Sequence, residues 1–270
     1  MWLEVRSVNT LAIVSRKGGV GKTTVSINLA ASLAKAGHTT ALIDLESQAA
    51  ATVGMGIDYT VGPTVAHVLL GEADLPSVLH EAHGVQVAPG SQRLSAVERM
   101  LQAESLPAAQ YPLPRYIDQL AEADVADWCI IDTPPSLGLL TLNALAAADH
   151  CVGVATAEYA SVEAILQTLE MSAQVRQGLN PSLQLLGVVI NEYHKVQIQD
   201  RHVVKRLEDK VPLLRPFIRD TQKVSVAYGF REPVVLREPS AVVSIEYRRL
   251  TKGVISRVEE SARREGAHGA

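Results

Sequence analysis

Residues 15–24 read SRKGGVGKTT, from Ser15 to Thr24, and the reading of this stretch decides the fold. It comes close to the phosphate-loop spacing G-x-x-x-x-G-K-[ST]. Gly21, Lys22 and Thr23 satisfy the end of that pattern, while Arg16 stands where its first glycine belongs. Beside Arg16 is an additional lysine, Lys17, followed by Gly18, Gly19 and Val20. The apolar run Leu11–Val14 leads into the stretch, and Val25, Leu29, Ala30 and Leu33 recur after it at helical spacing. A glycine turn between a buried strand and a helix gathers backbone N–H groups around one point. The helix N-terminus adds partial positive charge, so the turn suits a polyphosphate. Gly18, Gly19 and Gly21 allow close approach, Lys22 would reach the β- and γ-phosphates, and the Thr23 hydroxyl would coordinate Mg²⁺.

Working outward, Gly37 is placed to end the first helix. TTALIDL, residues 39–45, predicts a second strand, and VQVA, residues 85–88, another. Residues 54–83 are rich in Gly, Pro and His and read as loop with short helices, and helices are predicted over 94–104 and 116–123. WCIID, residues 128–132, is continuously apolar up to its closing acid, as expected of a strand buried on both faces. Residues 151–155 and 185–190 read similarly, with a long helix over 160–177 between them. Another helix follows near 198–209, then a proline-punctuated segment over 211–239 and a last helix from about 240 to 264. Strand–helix alternation predicts an α/β fold: one domain, 1–270, with a mostly parallel twisted sheet flanked by helices, as in P-loop NTPases. Residues 1–9 read as a short N-terminal extension and 266–270 as a frayed tail.

The composition, 47% hydrophobic and 20% charged over 270 residues, is that of an ordinary globular chain able to bury a large core. A net charge of −4 does not announce a nucleic-acid binder, although a local basic patch is compatible with it. Cys129 and Cys151 lie inside apolar runs and form no C-x-x-C, which predicts a reducing compartment without disulfide, zinc or iron–sulfur chemistry. No apolar run reaches the ~18 residues of a membrane span, and the N-terminus lacks signal-peptide features, so a cytoplasmic location is expected.

Mg²⁺ at a phosphate loop needs an acid at the end of a neighbouring strand. Asp132 closes WCIID and is the candidate, acting directly or through water. Asp44 closes the second strand at the same edge, where ligands of open α/β sheets bind. It reads either as a turn cap or as the group that orients an attacking water.

KGGVGKTT, LIDLESQ and IIDTPPSLGLLTLNAL together resemble the ParA/Soj family of deviant Walker A partition ATPases, relatives of MinD. The resemblance runs from about Leu11 to the last helix. It implies an ATPase dependent on ATP and Mg²⁺, slow without a partner, in which Lys17 is the family's signature lysine. ATP-bound monomers pair face to face, and this lysine reaches the partner's ATP, so Arg16 in place of glycine is no objection. The phosphate contacts it implies are Lys17, Gly18, Gly19, Val20, Gly21, Lys22, Thr23 and Thr24, with Thr23 and Asp132 at the metal. Lys17, Lys22 and Asp44 are the implied catalytic set, and Asn191, after the strand LLGVVI, is an implied adenine contact. The family pattern D-x-D-P-Q reads Asp44-Leu45-Glu46-Ser47-Gln48 here, which alters the water-positioning segment.

The resemblance also implies nonspecific binding of double-stranded DNA by the ATP homodimer. A ParB/Spo0J-like centromere-binding partner would stimulate hydrolysis and release the DNA during chromosome or plasmid partition, placing the protein at the nucleoid. Residues 191–219 carry seven Lys or Arg against four acids. Lys195 and Arg219 fall near the family's DNA-contacting positions, and Arg248, Arg249 and Lys252 would extend the patch. Clustered charge of this kind reads phosphates rather than bases. The alternative is a MinD-like or cargo-positioning nucleotide switch that does not act on DNA. Membrane binding is not expected, because the terminal ISRVEESARREGAHGA has acids and alanines where an amphipathic anchor needs bulky apolar residues.

Overall fold

The computed structural model describes residues 8–268 except 61 and 106–109. Its centre is β1 (Asn9–Val14), paired in parallel with β5 (Trp128–Asp132) on one side and β6 (His150–Thr156) on the other. Outside β5 lie β2 (Thr40–Asp44), β4 (Val85–Ala88) and β3 (His80–Ala82). Outside β6 lie β7 (Gln184–Asn191) and β8 (Leu213–Leu214). The sheet order is β3-β4-β2-β5-β1-β6-β7-β8, and β3, antiparallel to β4, is the exception to an otherwise parallel sheet.

The helices in chain order are α1 (Lys22–Lys35), α2 (Ala50–Gly54), α3 (Val65–Leu69), α4 (Leu94–Gln102), α5 (Leu113–Glu122) and α6 (Leu139–Ala147). They continue with α7 (Tyr159–Gly178), α8 (Ile198–Glu208), α9 (Gln222–Gly229), α10 (Val234–Arg237) and α11 (Val242–His268). The apolar strands follow from the two-sided burial. Ala12, Val14, Ile43 and Ile131 face a core with α4, α5 and α6. Leu11, Ile13, Leu42 and Ile130 point the opposite way, into a core built with α1 and α11. Each large side chain taken out of water there contributes about 1.5–3 kcal/mol, enough that a one-residue slip of a central strand is strongly disfavoured.

Register fixes the functional edge. Asp44 of β2 lies opposite Asp132 of β5, and Ile13 of β1 lies on the other side of Asp132. The two acids therefore meet at the carboxyl ends of adjacent strands, beside the loop that leaves β1.

The structure departs from the sequence expectations where elements are short. β3 and β8, of 3 and 2 residues, fall in the segment read as loop with short helices and in the proline-punctuated segment, since so few residues carry no periodic signal. The last helix continues to His268, so residues 266–268 are helical and only 269–270 of the expected frayed tail lie outside the described residues. Ala, Glu and Arg favour helix strongly enough to carry it past a single glycine. Of the expected N-terminal extension, residues 1–7 lie outside the described residues, and Asn9 already belongs to β1. No helix among the described residues is long and apolar enough to cross a membrane.

Candidate functional site

The loop from Ser15 to Gly21 turns directly from β1 into α1. Gly19 (φ 73°) and Gly21 (φ 84°) occupy the left-handed region, which glycine enters without steric cost. Gly21 is the N-cap of α1, so the unsatisfied N–H groups of a 14-residue helix open onto the loop. A side chain at Gly21 would also collide with Asn191, because a Cβ there would lie 2.1 Å from Nδ2. Arg16, in place of the expected first glycine, is exposed and directs its guanidinium to Gln167 of α7. Its backbone N–H donates to Thr168 Oγ1 at 3.0 Å.

Asp132 is the hub of the site. Its Oδ2 accepts from Thr23 Oγ1 at 2.7 Å and its Oδ1 from Ser26 Oγ at 2.8 Å. Ser26 is one turn beyond Lys22 on α1, and its role was not legible in the sequence, where it reads as an ordinary helix residue. Lys22 is only 7% exposed. Burial lowers its pKa, while Asp132 and then Glu46 pull it back up. Burial raises the Asp132 carboxyl to about 7, with Asp44 adding to the rise and the Thr23 and Ser26 hydroxyls opposing it. A hydroxyl and a carboxylate oxygen on adjacent elements are hard donors that suit Mg²⁺, which keeps waters and completes its shell with phosphate oxygens. The described residues contain no cluster of three or more His, Cys, Asp or Glu able to form an all-protein metal cage, in keeping with that chemistry.

Asp44 sits as a turn cap, one of the two readings its place in the sequence allowed. It is fully buried, and its oxygens are taken by the following loop. Oδ2 accepts from Thr52 N at 2.8 Å and Thr52 Oγ1 at 2.7 Å, and Oδ1 accepts from Glu46 N at 3.0 Å. Thr52 Oγ1 in turn accepts from Gly90 N at 2.9 Å. The geometry is that of a cap holding the 45–52 loop. The carboxylate this loop offers to the site is Glu46, half-buried and in electrostatic contact with Lys22. Burial raises the Glu46 pKa and Lys22 opposes the rise.

A cleft of about 490 Å³ opens beside Thr23 and Thr24 and runs to Asn191, Arg219, Thr221 and Tyr228. Asn191 is buried, and its Nδ2 donates to the Val20 carbonyl at 3.0 Å, locking the amide to the phosphate loop. Lys17 is half-buried near the start of the loop. Its Nζ pairs with Glu158 and donates to Ser161 Oγ at 3.0 Å, both at the start of α7.

The four expected DNA contacts do not share one environment. Lys195 is exposed on the segment after β7. Arg219 is tied to Glu246, with Nη2 and Nε at 2.8 and 2.9 Å from Oε1. Arg248 and Arg249 lie inside α11, which starts at Val242, and not at the helix start. Arg249 is exposed. Arg248 is half-buried, with Nη1 shielded from solvent and lacking a hydrogen-bond partner among the described residues.

Residues 8–185 match the family model described as an AAA domain. The chain is 34% identical over 258 residues to the chromosome-partitioning ATPase Soj of Thermus thermophilus, across 94% of this chain and 98% of that one. It is also 34% identical over 262 residues to the chromosome partitioning protein ParA of Caulobacter vibrioides, across 94% and 97% of the two chains. Among solved structures, a cobyrinic acid a,c-diamide synthase from Mycobacterium smegmatis with bound ADP and magnesium superposes with a TM-score of 0.81 at 29% identity, covering 93% of this chain and 96% of that one. The septum site-determining protein MinD of Pyrococcus horikoshii shares the fold, with a TM-score of 0.76 at 24% identity over 92% and 96%. With its phosphate loop, its signature lysine and relatives matched nearly end to end, the chain belongs to the ParA/Soj family of deviant Walker A ATPases.

Proposed function

We propose that this protein is a partition ATPase whose MgATP-bound homodimer binds double-stranded DNA without sequence preference and lets go when ATP is hydrolysed. The observation that carries the nucleotide half is the Thr23–Asp132 contact beside buried Lys22, at the mouth of the glycine loop. Lys22 and the loop amides from Gly18 to Thr24 hold the phosphates, and Thr23 and Asp132 hold Mg²⁺, which neutralises charge on the β- and γ-oxygens when bound. Glu46 orients the water that attacks the γ-phosphorus, yielding ADP and phosphate. Asp44 acts one step removed, by fixing the loop that carries Glu46. Asn191 meets the adenine edge.

Lys17 completes the site of the facing protomer, supplying a cation where charge builds in the transition state. To do so it leaves Glu158 and Ser161, which hold it within its own chain. Hydrolysis is therefore slow in the lone chain and depends on pairing. A ParB/Spo0J-like DNA-bound partner accelerates it, in the cytoplasm at the nucleoid, and the difference in DNA affinity between nucleotide states drives the cycle. Lys195, Arg219, Arg248 and Arg249 are the phosphate contacts in this reading.

The test is binding to random-sequence duplex DNA with ATP, ADP or no nucleotide at two salt concentrations. Tight, salt-sensitive binding confined to ATP is expected. Absence of binding in every nucleotide state would remove DNA and leave the cargo-positioning switch.

A further inference from the structure

Arg219 has two neighbourhoods. Together with Asp220 it lines the nucleotide cleft, and the same two residues line a second cavity of about 760 Å³ on their other side. That second cavity is walled by three cations, Lys195, Arg215 and Arg219, and by two acids, Asp220 and Glu246. Arg215 lies flat over the Phe217 ring, 4.4 Å from its centroid, and pairs with Glu208. Those contacts are exposed and weakly held.

Glu246 is different. Its side chain is 13% exposed and binds Arg219 at three points: Nη2 and Nε to Oε1, and the backbone N–H to Oε2 at 3.1 Å. A carboxylate gripping a guanidinium through two N–H groups fills the position a DNA phosphate would take, with similar geometry. The segment is fixed from behind as well, because Tyr193 N donates to Ile218 O and Ile218 N donates to Ile190 O, each at 2.9 Å. Arg219 is thus anchored to the strand end that carries Asn191, at the wall the two cavities share, and Glu246 holds it from the side of the second cavity.

We propose that Glu246 is an internal competitor for the DNA phosphate. It occupies Arg219 in the nucleotide-free chain, and DNA binding in this groove requires that contact to be exchanged. The inference rests on the DNA-binding reading given above. The charge arithmetic gives Glu246 its weight. With it, the groove carries three positive against two negative side chains, and without it three against one. Because Arg219 also lines the nucleotide cleft, occupancy of the cleft bears on the exchange, and Glu246 becomes a residue that makes DNA affinity depend on nucleotide.

The experiment compares wild type with Glu246→Gln, whose amide oxygen still accepts from Arg219 and preserves the packing. Binding to random-sequence duplex DNA is measured without nucleotide, with ADP and with ATP, over a salt series. Glu246→Gln should bind on the order of tenfold more tightly without nucleotide, with the slope of log affinity against log salt steeper by about one. The gain from ATP should shrink correspondingly, and Arg219→Ala/Glu246→Gln should lose the tenfold increase. Glu246→Ala removes the same anion and should behave alike if the glutamine variant folds poorly. Unchanged affinity and slope in a wild type that still binds with ATP would overturn the competitor role and leave DNA binding intact. A gain that survives in the double variant would overturn it too, since the added affinity would then owe nothing to Arg219. No binding by either protein in any state would overturn both readings together.

Discussion

At the end of β2 two carboxylates two residues apart, Asp44 and Glu46, hold opposite positions. Asp44 is buried and bonded to its own loop, while Glu46 is half-buried and faces Lys22. Glu46→Gln should lower ATP turnover about a hundredfold, the usual scale for a lost acid–base or water-orienting group, with a melting temperature close to wild type. A steady-state phosphate-release assay checks it, and unchanged turnover would return the role to Asp44. Thr52 is the support for that arrangement. Thr52→Val leaves the Gly90 N–H without its acceptor and Asp44 without one donor, a loss of about 1–3 kcal/mol, and Thr52→Ser should restore it. Chemical denaturation of the three proteins measures the difference. Lys17→Ala should cut hydrolysis on the order of a hundredfold while ATP affinity changes little, as for removal of one transition-state donor. Loss of ATP binding by equilibrium titration would show that Lys17 serves its own protomer's nucleotide.

The element that makes the site is strand, glycine loop and helix: β1, residues 15–21 and α1. Gly21 is the position where the element depends on one atom. Its φ is 84°, and any Cβ would strike Asn191, which is itself held by the Val20 carbonyl. Gly21→Ala therefore carries both left-handed strain, about 1–2 kcal/mol, and displacement of the cleft-lining amide. Nucleotide affinity should fall at least tenfold, measured by calorimetric titration with ADP. Near-wild-type affinity would show that Asn191 is dispensable for the base.

For the whole molecule, the parallel sheet places two buried acids side by side on β2 and β5. Burial raises Asp44 to about 6 and Asp132 to about 7, each above the usual carboxylate range. Between the unfolded value of about 4 and these folded values, the native chain binds more protons than the unfolded chain. Stability of the nucleotide-free protein should therefore fall as pH rises from about 4 to about 7. Bound Mg²⁺ with nucleotide would displace the Asp132 proton, so its stabilising effect should grow across the same window and vanish with a chelator. Thermal unfolding at several pH values, with and without MgADP, tests this, and a flat profile in the nucleotide-free protein would contradict it. The sequence by itself determined the α/β class, the central strands, the glycine loop and the Thr23–Asp132 pair. It could do so because long apolar runs and a glycine–lysine turn are local signals, carried by neighbouring residues. Only the tertiary structure decided that Asp44 is tied to its own loop while Glu46 faces Lys22, that Ser26 supports Asp132, and that Arg219 is held by Glu246. Those outcomes depend on which groups from distant parts of the chain reach one another, and strand register and helix packing set that at separations no sequence periodicity encodes.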